Sequence, residues 1–205
     1  MDSVEKSVKQ QFAKVFEPAD WRLFKRVAEC YLRQAAFLRK HDVNAPSNLR
    51  LLVRNSQKRL LIGIGIELLL KALYLKNGYA INRPEHKNEA LKLPFRFDEA
   101  TGPQLDEAET FSLNNLIDQL EKVVRVKNRG VVVSGPKIAK VFRNKEGHCV
   151  TSRHAFDSSN YRDIEAALRE LYRVAFNEAL TARFSLAPKE RPLWGTRSAF
   201  EKIGG

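Results

Sequence analysis

The sequence predicts an all-α protein, and three observations carry that reading. Apolar residues recur at helical spacing over three long stretches, residues about 21–40, 49–76 and 161–184. Cap and stop residues punctuate those stretches, among them Asp20, Asn77-Gly78, Ser112 and Ser159-Asn160. At 205 residues the chain fits one domain, 1–205, with enough length for a sizeable core, and it contains no internal repeat or low-complexity tract.

Taken in order, residues 3–15 predict a short first helix of mixed polarity. Pro18-Ala19-Asp20 marks the start of the second, 21–40, with Leu23, Val27, Tyr31, Ala35 and Leu38 as its apolar stripe. Residues 44–48 read as a loop. A long third helix, 49–76, ends at the stop signal Asn77-Gly78. Its middle, 60–75, is apolar nearly all round, broken only by Glu67 and Lys71. Such a helix is buried on more than one side, at the centre of a bundle or at a dimer interface. Gly63 and Gly65 weaken its helix propensity and permit close approach of another backbone. Residues 79–111 carry Pro84, Pro94, Gly102 and Pro103 and an acidic cluster, Asp106, Glu107 and Glu109, which predicts an irregular insertion with short helical pieces. Ser112 can cap a helix over 113–124 striped by Leu113, Leu116, Ile117 and Leu120. Val131-Val132-Val133 reads as a short extended piece, and Pro136, behind Ser134 and Gly135, as the first turn of the next helix. Residues 152–160 are polar and loop-like. The last helix, 161–184, buries Ile164, Leu168, Leu171, Ala175 and Leu180, and a basic tail containing Trp194 follows, 185–205.

The 36 Lys and Arg against 24 Asp and Glu give a net charge of +12, which points to a polyanionic partner. The excess is concentrated. From Lys122 to Arg153 the only acid is Glu146, while Lys137, Lys140, Lys145 and Arg153 stand with Lys122, Arg125, Lys127, Arg129 and Arg143 as cations able to contact phosphate. His154 is either a further contact or an exposed loop histidine. The aromatic residues are not interleaved with these cations, so base-specific readout is not expected. Cys30 and Cys149 cannot make a disulfide framework, and neither they nor the four histidines show metal-ligand spacing. Cys149 fits a structural thiol better than a nucleophile. Tyr161 could stack a base or simply pack. The amino terminus lacks a signal-peptide run and the longest apolar stretch is too short to span a bilayer, so a cytoplasmic protein without membrane attachment is expected.

Within that basic window, Arg143-Asn144-Lys145-Glu146-Gly147-His148 combines a permanent cation, an amide and an imidazole within about two helical turns. On a continuing helix Asn144 and His148 share a face, and Arg143 can swing toward it. Arg can grip a phosphate in bidentate fashion, and His moves a proton near neutral pH. The two are sufficient chemistry for cleaving a ribose-phosphate backbone without a metal. A surface helix can also carry both by chance.

With Glu67 and Lys71 in a long central helix followed by this Arg-x4-His element, the chain resembles the HEPN superfamily, all-helical domains of prokaryotic toxin-antitoxin, phage-defence and CRISPR-associated proteins. Gly65-Ile66-Glu67-Leu68-Leu69-Leu70-Lys71 looks like that family's central helix with its Glu-x3-Lys element. The polar residue after Arg143 matches as well. The same Glu67–Lys71 spacing is also that of an ordinary ion pair one turn apart. The resemblance covers roughly residues 49–76 and 112–184. It implies a HEPN-type bundle with extra N-terminal helices and an insertion, acting as a metal-independent endoribonuclease with no cofactor. It further implies a homodimer with the site at the two-fold interface, and RNA as substrate. His148 would transfer the proton, Arg143 would hold the scissile phosphate, and Asn144 would orient either. A toxin or defence effector with an antitoxin or defence-system partner follows from the same likeness. In one toxin subgroup the position held here by Val150 is a tyrosine that the antitoxin modifies, so that form of control is not expected. Two other functions compete: a non-catalytic nucleic-acid-binding adaptor using the same cations, and a structural dimerisation module built on the apolar helix.

Overall fold

Helix α3 (Arg50–Lys76) is the axis of the molecule. Helix α2 (Trp21–Phe37) packs along one of its sides, α6 (Arg129–Gly147) along another, and α7 (Ser158–Leu171) packs on α6. The computed structural model describes residues 3–38, 44, 46–47, 50–85, 93–100, 104–126, 128–147 and 158–180. Most of these are helical, as the sequence predicts. Ile62, Ile66, Leu69, Leu70, Leu73 and Leu75 of α3 are fully buried within a single copy, so the apolar stretch is the centre of a bundle. Gly65 faces α2: a β-carbon there would lie 2.8 Å from Leu32 Cγ and 3.2 Å from the Ala28 carbonyl. The helix ends where expected. Tyr79 N–H donates to Tyr74 O at 3.0 Å and Gly78 N–H to Leu75 O at 3.0 Å, with Gly78 at φ 78°, the paired bonds of a left-handed helix terminus. No described helix is long and apolar enough to cross a membrane.

Several expectations are corrected. Helix α1 (Ser3–Phe12) stops short of residue 15. In α2 the buried stripe is Phe24, Ala28, Leu32 and Ala35: Ala35 is buried as predicted, but the others lie one position beyond the predicted Leu23, Val27 and Tyr31, and Leu23 and Val27 are exposed. Both stripes have helical spacing. The structure selects the one whose Ala28 and Leu32 fit over Gly65. The helix ends at Phe37, with Leu38 extended. The helix expected over 113–124 is two, α4 (Leu113–Asp118) and α5 (Leu120–Val123), parted by Gln119 outside helical geometry. Ser112 caps α4 as predicted, accepting from Asn115 N–H. Residues 131–133 are helical, because Val132, Gly135, Pro136, Ala139 and Phe142 fall on one buried helical face that an extended trio would split. Tertiary packing overrides the β-preference of valine.

The region 79–111 holds a strand pair absent from the sequence-based expectation. Strand β1 (Asn82–Pro84) runs antiparallel to β2 (Leu105–Thr110), with Asn82 opposite Thr110 and a bulge before Pro84. Asn82 is fully buried and secures the pair. Its amide donates to Lys14 O and Asp106 O, and its oxygen accepts from Phe16 N–H at 2.9 Å.

The last helix is shorter than predicted. After Leu171 it loosens into a π-turn, Tyr172–Phe176, and Asn177 takes left-handed geometry at φ 56°. A polar clasp holds this end. Lys25 on α2 pairs with Glu29 at 3.1 Å and Glu178 at 2.8 Å, the Tyr172 hydroxyl donates to Glu29, and Lys76 donates to Ala175 O. Phe184 and the tail lie outside the described residues.

The clasp sets an alkaline limit on stability. Burial, reinforced by Glu29, pushes the Tyr172 phenol well above its ordinary range, and burial does the same for Tyr74. Burial alone would lower the Lys25 ammonium, but its hydrogen bonds to Glu178 and Glu29 prevail and raise it. All three groups bind their protons more tightly folded than unfolded. Their contribution is therefore present at neutral pH and is lost as pH climbs above about 10. Urea unfolding across pH should show that decline, and Tyr172→Phe should flatten it. An unchanged slope in the variant would contradict the assignment.

Candidate functional site

The site begins with a crossing. Gly63, Glu67 and Lys71 are spaced one turn apart and share the face of α3 that meets α6. A β-carbon on Gly63 would lie 2.6 Å from Arg143 Cβ and 3.0 Å from Ala139 O, so any larger residue would force α6 away. Glycine thus brings Arg143 within reach of Glu67. The Glu67 carboxylate is nearly buried and sits between two cations. Its Oε1 lies 2.9 Å from Lys71 Nζ and its Oε2 lies 2.5 Å from Arg143 Nη1. The Arg143 contact is an ion pair and not an aligned hydrogen bond, so among the described residues the buried Oε2 has a charge opposite it and no hydrogen-bond donor. Lys71 Nζ also donates to Thr110 Oγ1 at 2.9 Å.

Burial grades across this group. The Glu67 and Lys71 side chains are 12% and 10% exposed, whereas Arg143 is 40% exposed. The buried pair anchors and the arginine reaches solvent. Asn144 and Lys137 are exposed, Lys140 is half-buried, and the three share one face of α6 beside Arg143. Lys140 Nζ contacts Asn114 Oδ1 on α4 at 2.5 Å. Val141, 39% exposed, adjoins them. His148, Arg153 and His154, and the side chain of Lys145, lie outside the described residues. The structure therefore brings Arg143 together with Glu67 and Lys71, two features the sequence presents as separate. The plain ion pair between Glu67 and Lys71 is also present.

Sequence reasoning missed a second set of cations. Arg50, Arg54 and Lys58 follow one another at one-turn spacing on α3, and no acid occurs between Asp42 and Glu67. Lys58 Nζ lies 4.8 Å over the Tyr161 ring, which is 5.5 Å from Phe142, the neighbour of Arg143. Tyr161 packs rather than standing open for a base. The acid-free run was the available signal.

Comparison with family profiles, with curated proteins and with solved structures gives no significant match.

Removing one member of a buried ion pair strands its partner, at a cost of about 3–5 kcal/mol. Glu67→Gln, which leaves Lys71 and Arg143 without their shared counter-charge, should lower the urea midpoint sharply. Adding Lys71→Met should recover part of the loss. Wild-type stability in Glu67→Gln would show that the carboxylate does not hold the crossing.

Proposed function

We propose that this chain is a HEPN-type, metal-independent endoribonuclease, acting as a toxin or phage-defence effector. The observation that carries this reading is the ion pair between Glu67 and Arg143. It joins the two sequence elements on which the resemblance rests, and it presents a half-exposed arginine at the end of a basic helix.

The chemistry follows from those residues. A ribose 2′-hydroxyl attacks the adjacent phosphorus, the bond to the 5′-oxygen breaks, and a 2′,3′-cyclic phosphate and a 5′-hydroxyl result. His148 moves the proton and Arg143 offsets charge building on the phosphate oxygens. Asn144 orients the phosphate or the imidazole. Lys137, Lys140, Lys145, Arg153 and His154 hold the RNA backbone. A second copy completes the site across a two-fold axis. An antitoxin or defence-system protein is the further partner that this reading implies.

A second reading, a non-catalytic RNA-binding adaptor, draws on one observation. Arg143 already faces a carboxylate, as a purely structural arginine would.

The decisive experiment is cleavage of single-stranded RNA in excess EDTA. His148→Ala should lose roughly 10²–10⁴-fold in rate, and Arg143→Ala a comparable amount, while Asn144→Ala loses less. A 2′-deoxyribose at the scissile position should abolish cleavage. Cutting there would sink the mechanism, and full activity in His148→Ala would leave the adaptor as the better reading.

Binding should be dominated by phosphate contacts, so RNA affinity should fall steeply between about 50 and 200 mM salt and depend little on sequence. Sedimentation at micromolar concentration should show a dimer. A salt-independent affinity, or a monomer alone, would count against this architecture.

A further inference from the structure

The β1–β2 pair lies outside the part of the chain that resembles the HEPN superfamily, yet its last residue touches the site. We propose that Thr110 is a positioning residue for Arg143, acting through Lys71 and Glu67, an inference that rests on the ribonuclease reading of this site.

The path consists of short contacts. Thr110 Oγ1 accepts from Lys71 Nζ at 2.9 Å, Lys71 Nζ lies 2.9 Å from Glu67 Oε1, and Glu67 Oε2 lies 2.5 Å from Arg143 Nη1. Each link constrains the next. The carboxylate is held between two cations, Lys71 at Oε1 and Arg143 at Oε2, so the place it offers Arg143 depends on where Lys71 stands. A lysine ammonium is a flexible point charge on a four-carbon stem and does not fix its own position. Thr110 supplies the second anchor that does. Thr110 is itself held, because its strand partner is Asn82, whose amide binds Lys14 O and Asp106 O and accepts from Phe16 N–H. The N-terminal segment, the strand pair, α3 and α6 are thereby joined in one polar line that ends at the half-exposed arginine. A strand whose only task was to cover the core would need no hydroxyl at this position.

Thr110→Val keeps the branched shape and strand preference and removes only the acceptor. Thr110→Ser restores the acceptor. Single-turnover cleavage by Thr110→Val should fall about tenfold, as expected for a displaced catalytic group, with RNA affinity within about twofold of wild type. Thr110→Ser should recover most of the rate. A purely structural role would lower the folded fraction and leave the rate per folded molecule unchanged.

A second measurement needs no activity. Urea unfolding of Thr110→Val, Arg143→Ala and the double variant should give folding constants that depart from multiplicativity by about threefold or more. Coupling of that size in a protein that cleaves no RNA would uphold the relay and defeat the ribonuclease reading. Full cleavage by Thr110→Val together with multiplicative folding constants would overturn the relay and leave the ribonuclease reading standing.

Discussion

The arrangement depends on a single buried carboxylate. Glu67 sits in the middle of the most apolar helix of the chain, where an ionised group is tolerated only if it is paired. Its own helix supplies one cation, Lys71, and α6 supplies the other, Arg143. The second pairing is possible only because Gly63, one turn earlier on the same face, lets α6 approach. A packing feature and an electrostatic one thus require each other. Without the glycine the arginine stands too far away, and without the carboxylate the close crossing would place a cation against α3 with nothing to receive it.

The far end of the bundle uses the same device. Glu29 is buried on α2 and is met by Lys25 and by the Tyr172 hydroxyl, while Lys76 at the end of α3 holds Ala175 O. These contacts tie the end of α7 back to α2 and α3. Since α7 packs on α6, the helices form a closed circuit: α3 grips α6 at Gly63 and Glu67, α6 carries α7, and α7 is fastened to α3 again. Arg143 is consequently fixed from both sides of its helix. Loosening either end would be felt at the arginine, because close-packed interiors transmit displacement.

The long helices could be read from the sequence because their signals are local. The end of α3 at Asn77-Gly78 and the buried stripe of α7 follow from residues within a turn or two of each other. What failed was non-local. Leu23 and Val27 are as well spaced as Phe24 and Ala28, and only the shape of α3 opposite decides which pair is buried. Strand β2, Leu-Asp-Glu-Ala-Glu-Thr, lacks strand-favouring residues except Thr110, and β1 contains Pro84. Their pairing comes from Asn82 and the N-terminal segment. The apolar spacing continues past the end of α7 to Leu180, but Asn177 turns the chain in the left-handed region, which asparagine adopts more readily than most residues. Arg143 and Glu67 could each be picked out by the motif that holds it, but their pairing could not, since nothing local links α3 to α6.

The position of Lys71 bears on which reading of Arg143 is physically consistent. An arginine facing a lone buried carboxylate would have much of its charge cancelled and little left for a phosphate. Here the carboxylate is shared. Lys71 is as buried as Glu67 and meets it at 2.9 Å, so those two nearly neutralise each other, and the three groups together carry a net positive charge. Because the pair is buried and Arg143 is 40% exposed, the surplus appears at the solvent side, where the neighbouring cations of α6 add to it. Glu67 can then orient the guanidinium without extinguishing its field. A structural arginine needs only the carboxylate. One that must both hold a fixed place and attract an anion needs the carboxylate and a second cation behind it, and that second cation is what Lys71 provides.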